Sequence, residues 1–183
     1  MYQSVGAYCS NHDNFAGLSY IGIAKAADVS LPTVLPGRWN PLPTQLDAPY
    51  GLVKLPFVSD TAKLVFAHKR AEQGRIIAPE INLTLTGQSA ALDDFLSAWI
   101  GIDLFVLVKL QASGHARAFR KMRLEEENDS GDEPAQFTGS RLVLKPLSEQ
   151  LYAWKGAMPG NIDDTILNPL GKSFTSGFSD GFQ

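Results

Sequence analysis

The strongest constraint on the fold is the run from Pro79 to Pro146, in which strand patterns flank one helix pattern with short connections. Residues Ile81–Thr86 alternate apolar and polar side chains, which is the period of a half-buried strand. The segment Ala90–Ile100 follows Ser89, a favourable N-cap residue, and has apolar residues at helical spacing, namely Leu92, Phe95, Leu96, Trp99 and Ile100. Gly101 stands where a left-handed helix terminator belongs. The run therefore predicts a helix that packs one face on a sheet.

Further strand patterns follow the helix pattern. Leu104–Leu110 is too short for a second helix and rich in β-branched and aromatic residues, which predicts a buried strand. The polar turns Gln111–Gly114 and Asn128–Pro134 precede two more predicted strands, at His115–Glu126 and Gln136–Lys145. Because these connections are local, antiparallel pairing is expected. We predict a mainly β fold with one α-helix, in the form of an antiparallel β-sandwich or flattened barrel.

The rest of the 183-residue chain is expected to extend this unit into a single β-rich domain over residues 1–155. The Pro-rich excursion at 31–49 cannot be a regular helix or a central strand, and its apolar residues need a cover. Residues 156–183 are rich in Gly and Phe and are expected to form an extended C-terminal arm, with a frayed tail as the alternative. Three other short runs suit strands, and these are Leu18–Ala24, Gly51–Leu55 and Ala62–Ala67.

Charge and cysteine content disfavour several classes of function. A formal net charge of −3 argues against a general nucleic-acid binder. One basic cluster lies on a predicted strand, where alternation places Arg117, Lys121 and Arg123 on one face and Arg120 on the other. A solvated or subunit-facing strand is expected there in preference to a phosphate site. The single cysteine excludes an internal disulfide, and no leader pattern or membrane-spanning apolar run is visible, so we expect a soluble chain made in a reducing cytoplasm.

The candidates for chemistry are isolated. Cys9 and His12 have the spacing of half a zinc site or of a thiolate–imidazole pair, but no second pair accompanies them. His68 and His115 stand alone, and the acidic stretch Glu125–Glu133 lacks the ligand spacing of a calcium loop. No nucleophile elbow, complete phosphate loop or zinc-protease motif occurs. We therefore predict no catalytic, cofactor-binding or metal-binding residues, no cofactor and no enzymatic activity.

The order of strand, helix, strand, strand and strand resembles the tail-tube superfamily of long-tailed bacteriophages. This superfamily includes tail-tube proteins, the distal tail protein at the baseplate and the tube protein of type VI secretion systems. The resemblance covers the middle third of the chain and rests on Ile81–Thr86, Ala91–Trp99, Leu104–Leu110, Phe119–Leu124 and Arg141–Leu144.

The resemblance implies a small β-sandwich or barrel with one flanking helix. It also implies a structural virion protein that forms a ring, usually a hexamer, around a channel through which DNA passes without sequence recognition. Neighbouring rings or baseplate proteins would be the partners, no membrane would be bound, and the excursion and arm would reach across subunits. The tube, distal-tail and terminator roles stay open. A tail protein of this kind is assembled in the cytoplasm of the bacterial host and resides in the virion tail.

Two alternatives come from other classes of function. A monomeric ligand-binding β-barrel would line a pocket with the inward residues of Leu104–Leu110. A small cysteine or metal-dependent enzyme would use Cys9 and His12. Ring formation is favoured over both because a small sheet has open edges, and ring closure pairs or buries them.

Overall fold

A computed structural model describes residues 17–32, 38–55, 57, 61–71, 74–84, 90–127, 141–147 and 152–162, without the side chains of 66–71, 74–77, 90–93 and 127. This part of the chain forms one α-helix, a short 3-10 helix at Ala26–Asp28 and a nine-stranded sheet. The strands are β1 (Leu18–Lys25), β2 (Trp39–Pro41), β3 (Val53–Lys54), β4 (Lys63–Ala71), β5 (Gly74–Thr84), β6 (Leu104–Leu110), β7 (Ala116–Glu127), β8 (Arg141–Pro146) and β9 (Tyr152–Gly156), and the helix is α1 (Ala90–Trp99). All the strand pairs described are antiparallel except β2 with β9. The predicted mainly β fold with one helix is confirmed.

The sheet divides at β7. Its main path runs β3-β1-β6-β7-β8-β5-β4, and β9 and β2 branch from β7. Strands β9 and β8 follow one another along the edge of β7 opposite β6, with β9 on Ala116–Arg120 and β8 on Met122–Glu127. They run in the same direction, so together they form one long strand that is interrupted between Leu147 and Tyr152.

A β-bulge at Lys121 lies opposite this interruption. The register of β7 against β6 shifts between the pairs Phe105–Arg120 and Leu104–Met122, which leaves Lys121 as the extra residue. Lys121 has a φ of 67°, the left-handed region that non-glycine residues seldom occupy. Its carbonyl accepts a hydrogen bond of 2.9 Å from the N–H of Leu147, where the chain leaves β8.

The bulge corrects the predicted alternation of the basic residues on β7. Before the bulge, odd-numbered residues such as Phe119 face the larger core. After it, even-numbered residues such as Leu124 do. Arg117 therefore lies on the face of the larger core, whereas Arg123 shares the opposite face with Arg120. The prediction that Arg117, Lys121 and Arg123 share a face was wrong because the extra residue reverses the alternation.

The larger core lies on the concave side of the sheet. It takes side chains from β1, β5, β6, β7, β8 and β9 together with Leu96 and Trp99 of α1. The sheet curls but does not close, and where β1 approaches the start of β4 the N–H of Leu18 donates to the carbonyl of Ala62 at 3.3 Å. A flattened, open barrel with the helix over its interior is the result.

The helix has the predicted position, with one correction. Leu96 and Trp99 are buried in the larger core, and Phe95 packs beside them with its ring stacked on that of Trp99 at 5.6 Å. Ile100 lies beyond the last helical residue and is 43% exposed, so it is not part of the packed face. Gly101 ends the helix with a φ of 85°, as expected for a left-handed terminator.

A second core covers the opposite face of β1, β6, β7 and β9. Phe105, Leu107 and Trp154 of the sheet pack there against Leu42 and Leu46 of the Pro-rich excursion. The described part of the excursion therefore covers its own sheet. Met158 and Ile162, just beyond β9, pack on the same core. The side chain of Asn161 forms two hydrogen bonds with the backbone of Leu46: it accepts one from the N–H at 2.8 Å and donates one to the carbonyl at 2.6 Å.

Strand β5 is longer than predicted. It begins at Gly74 and pairs with β4 through nine consecutive residue pairs, from Lys63–Asn82 to Ala71–Gly74. Only Ile81–Thr84 also pairs with β8. The prediction that the strand begins at Ile81 was wrong because Pro79 is tolerated where its second edge is open.

Candidate self-assembly surface

The feature that most needs a partner is the outer part of the β4–β5 hairpin. From the pair Val65–Glu80 to the pair Ala71–Gly74, each strand is paired only with the other in the described residues. We call these residues, Val65–Ala71 and Gly74–Glu80, the ribbon. At about 3.4 Å per residue it extends roughly 20 Å. A two-stranded hairpin is marginally stable in water, so the ribbon is expected to pack on another surface.

The outer edge of β4 is the longest open edge in the described part of the sheet. Its register with β5 contains no bulge over nine pairs, and Val65 is 51% exposed. The other two end strands of the sheet are short, since β2 has three residues and β3 has two, and the second edge of β5 is open only over Gly74–Glu80. On β2, Asn40 donates to its neighbour's carbonyl at Ala153, and Pro41 lacks an N–H. Natural proteins usually protect a long, regular edge, so the β4 edge is suited to pairing with another chain.

An apolar cleft of about 360 Å³ accompanies this edge. It lies in the seam where the barrel fails to close, between the start of β1, the end of β6 and the start of β4. Leu18, Leu64, Val65 and Leu110 line it. A chain that paired with the β4 edge would have this cleft available for an apolar side chain.

In the described part of the chain, the inner face of the barrel is packed with buried side chains. Leu104, Val106 and Val108, the inward residues of β6, are completely buried among the side chains of the larger core. The ligand-binding alternative placed its pocket at these residues. They form packed core instead, and the cleft described above lies outside it at the seam.

The basic residues of β7 each contact their own chain. Arg120 donates to the carbonyl of Ala26 at 2.9 Å, and Arg123 forms an ion pair of 3.5 Å with Asp103. The Lys121 ammonium lies 5.6 Å from the centre of the Tyr152 ring. These contacts and the change of face at the bulge divide the cluster, in keeping with the expected structural strand.

Arg117 occupies a different environment from the other three. Its guanidinium lies 5.3 Å from the centre of the Trp39 ring, and Trp39 contacts Phe119 edge to face. Burial lowers the pKa of Arg117 from its ordinary value, though arginine stays charged at neutral pH. The stack joins β2 to β7 across β9 and holds the short edge strand in place.

The residues considered for chemistry do not form a site in the described part of the chain. Cys9 and His12 lie outside the described residues, as does most of the acidic stretch. His115 is exposed in the turn before β7, and only the backbone of His68 is described. Where the chain is described, no three His, Cys, Asp or Glu residues are grouped as a metal site would require. None of the described helices has the length and apolarity of a membrane span.

The ribbon is the feature that sequence reasoning missed. Two runs that suit strands, Lys63–Ala71 and Arg75–Ile81, flank a short connection that ends in Gly74. This is the layout of a tight hairpin, but Glu72-Gln73 is not one of the strongly favoured turn pairs.

Comparisons with known proteins give little further guidance. No protein-family model matches this chain, and no curated protein matches its sequence. A solved structure, the cryo-EM structure of the anti-feeding prophage cap (AFP tube terminating cap), has 11% sequence identity and a TM-score of 0.30, over 84% of this chain and 100% of that chain. A TM-score this low does not establish a shared fold.

Proposed function

We propose that this chain is a structural protein of a bacteriophage tail or a related tube-forming assembly. Copies of it close into a ring, expected to be a hexamer, around a channel for DNA. The protein acts as a tube subunit or as a distal-tail ring at the baseplate, contacts neighbouring rings or baseplate proteins, and has no enzymatic activity. It resides in the virion tail after synthesis in the host cytoplasm.

The order of elements supports this proposal. The superfamily resemblance noted in the sequence predicts strand, helix, strand, strand and strand, and β5, α1, β6, β7 and β8 follow in that order. The packing of α1 on the concave side of an open barrel agrees with the implied fold. Fold alone does not determine function, so a second, independent observation is needed.

The ribbon with its open β4 edge is the observation that carries the proposal. It continues from a sheet whose one face is covered by the larger core and whose other face is covered by the second core at β1, β6, β7 and β9. The outer edge of β4 has no strand partner among the described residues, and the apolar cleft lies beside the start of this edge. Closure of several copies into a ring supplies a partner for each edge and leaves no open end.

Light scattering coupled to size-exclusion chromatography tests the proposal, with negative-stain electron microscopy of the same fractions. We expect a closed oligomer with a central opening, or stacks of such rings. A strictly monomeric protein at high concentration would contradict the proposal.

A variant with a shortened ribbon tests whether the ribbon makes the contact between copies. Replacing residues 68–77 with Asn-Gly leaves Ala67–Ala78 as the last pair before the turn. Hydrogen-bonded and non-hydrogen-bonded pairs alternate along an antiparallel ladder, and an even number of steps separates this pair from the natural terminal pair Ala71–Gly74, so both pairs are of the same type. Leu64 and Ile81, which reach the larger core, are untouched. We expect this variant to fold with the circular dichroism of the intact protein and to assemble poorly. Full assembly of the variant would show that the ribbon is not the contact.

A further inference from the structure

The chain enters β1 through the seam of the barrel. The carbonyl of Gly17 accepts a hydrogen bond of 3.1 Å from the N–H of Gln111, on the β6 side of the seam. The N–H of Leu18 donates to the carbonyl of Ala62, on the β4 side, at 3.3 Å. Gly17 and Leu18 also line the apolar cleft. The start of β1 therefore already lies between the end of β6 and the start of β4.

Strand directions determine how the chain before Gly17 is aimed. Successive antiparallel pairings connect β1 to β4 along the path β1-β6-β7-β8-β5-β4. The number of reversals along this path is odd, so the two strands that meet at the seam are themselves antiparallel. Followed backwards from Leu18, the line of β1 runs beside the open edge of β4 as β4 leaves Ala62.

The hydrogen bond between Leu18 and Ala62 sets the register of such a pairing. Residues directly opposite each other in an antiparallel pair exchange hydrogen bonds at every second position. The next hydrogen-bonded pair is therefore Ala16 with Leu64. By the same alternation, the N–H and carbonyl of Leu64 point to the open edge, as the carbonyl of Ala62 does.

The side chains suit this register on both faces of the sheet. Ala16 falls on the face of Leu64, which packs against the larger core and lines the cleft. Phe15 falls opposite Val65 on the outer face, where Val65 is 51% exposed. An aromatic residue opposite a β-branched residue is a favourable cross-strand pair, because the two side chains are close enough to pack.

We infer that residues 14–16 continue β1 across the seam, pair with the start of β4 in the same copy and close the barrel. The occupant of the cleft is this segment of the same copy because Gly17, to which it is attached, is part of the cleft wall. Leu18 already makes the first hydrogen bond of the ladder.

Closure of the seam shields the inner part of the β4 edge from other chains. A second copy that pairs there must first displace residues 14–16, whereas the outer part of the ribbon stays accessible. The segment therefore raises the protein concentration that assembly requires. This consequence rests on the proposed function, but the pairing within one copy does not.

A designed disulfide tests the pairing. In a Cys9→Ser background, Phe15→Cys with Val65→Cys places two thiols at a non-hydrogen-bonded pair. The Cα atoms of such a pair are ~4.5 Å apart, within the range of ~4.4–6.8 Å that a disulfide spans. Oxidised glutathione is expected to convert most of the dilute protein to an intramolecular disulfide, detected by mass spectrometry of proteolytic peptides.

Ala16→Cys with Val65→Cys, in the same Cys9→Ser background, is the matched control. In the inferred register these two residues are one position out of alignment and lie on opposite faces of the sheet. The control is expected to form the disulfide at least about tenfold more slowly than the Phe15→Cys, Val65→Cys variant.

Hydrogen exchange in the full chain gives a second readout that needs no cross-link. Ala16→Pro removes the N–H that donates to the carbonyl of Leu64, and the Leu64 amide is then expected to exchange at least about tenfold faster. Ala7→Pro is the control, because in this register Ala7 lies beyond the end of β4 and leaves the exchange of Leu64 unchanged.

Sedimentation velocity of the Ala16→Pro variant tests the consequence for assembly. The variant is expected to assemble at a concentration about threefold or more below that of the intact protein, because apparent affinity falls with the fraction of copies whose edge is covered.

The outcomes separate this inference from the proposed function. Equal rates of disulfide formation in the two cysteine pairs, or no disulfide in either, would overturn the inference. A disulfide between two chains would also overturn it, since the occupant is then a second copy. Rings without the intramolecular disulfide leave the proposed function standing alone. A protein that forms this disulfide and stays strictly monomeric supports the inference and removes the proposed function.

Discussion

Lys121 lies on β7 between the residues that pair with β9 and those that pair with β8. Its left-handed backbone inserts one residue into β7, and the two strands on the far edge are interrupted at the same level. A lysine in this conformation costs about 1–2 kcal/mol relative to a residue without a Cβ. The surrounding pairs with β6, β8 and β9 hold it there.

Glycine at position 121 is expected to relieve this strain. Lys121→Gly and Lys121→Ala both remove the ammonium from the Tyr152 ring, but only glycine removes the penalty of the positive φ. We expect the glycine variant to be about 1 kcal/mol more stable to unfolding than the alanine variant, as measured by chemical denaturation. Equal stability of the two would mean that the bulge is absent in solution.

Gly22 is constrained by the ring that lies across it. A Cβ at Gly22 would stand 2.5 Å from the Tyr20 hydroxyl and 2.8 Å from a ring carbon. Gly22→Ala is therefore expected to cost roughly 1–3 kcal/mol of unfolding free energy through overpacking. In a Tyr20→Ala background the same substitution is expected to cost little, because the clash is removed. An undiminished cost in that background would place the strain elsewhere.

At the scale of elements, α1 contributes mainly through the side chains that reach the larger core. Trp99→Ala empties a large buried site and is expected to cost roughly 3–5 kcal/mol in chemical denaturation. Ile100→Ala is the neighbouring control, with an expected cost of about 1 kcal/mol or less because Ile100 is 43% exposed and lies outside the larger core. Similar losses for both would mean that the helix is rotated from the phase described.

The elements with strong local patterns were predictable from the sequence. The spacing of Leu96 and Trp99 gave the helix and its packed face, and the apolar run of β6 gave a buried strand. Their signals are local because each pattern lies within one element.

The features that sequence reasoning missed depend on context. The alternating pattern that begins at Ile81 did not extend the strand through Pro79, which β5 accommodates because its second edge is open there. Lys121 gave no bulge signal, since a positive φ is usually marked by glycine. The pairing of Trp39 with Ala153 joins distant parts of the chain in parallel, which no local pattern indicates. The ribbon, which dominates the candidate surface, was missed because Pro79 lies within β5 and because Glu72-Gln73 is not a strongly favoured turn pair.

At the scale of the whole molecule, the boundary between domain and arm is a testable prediction. The division at residue 155 falls within β9, whose last residue is Gly156, and it removes residues that pack on the second core, including Met158 and Ile162. A chain ending at Ile162 is expected to unfold with nearly the free energy of the intact protein.

A chain ending at Lys155 is expected to lose about 2 kcal/mol or more, because it lacks this packing and both hydrogen bonds of Asn161 to Leu46. Chemical denaturation of the two truncated chains compares them directly. Equal stabilities would place the domain boundary at 155, and the weaker assembly of either chain would then report on the arm alone.

Strands β8 and β9 each pair with β7 independently of the chain that connects them. Each segment is held in register by its own pairs with β7, whatever length of chain joins Leu147 to Tyr152. Loop closure entropy rises only slowly with loop length, so a longer connection here costs little. A foreign peptide inserted directly after Leu147, which is 39% exposed, is therefore expected to leave both sets of pairs with β7 intact.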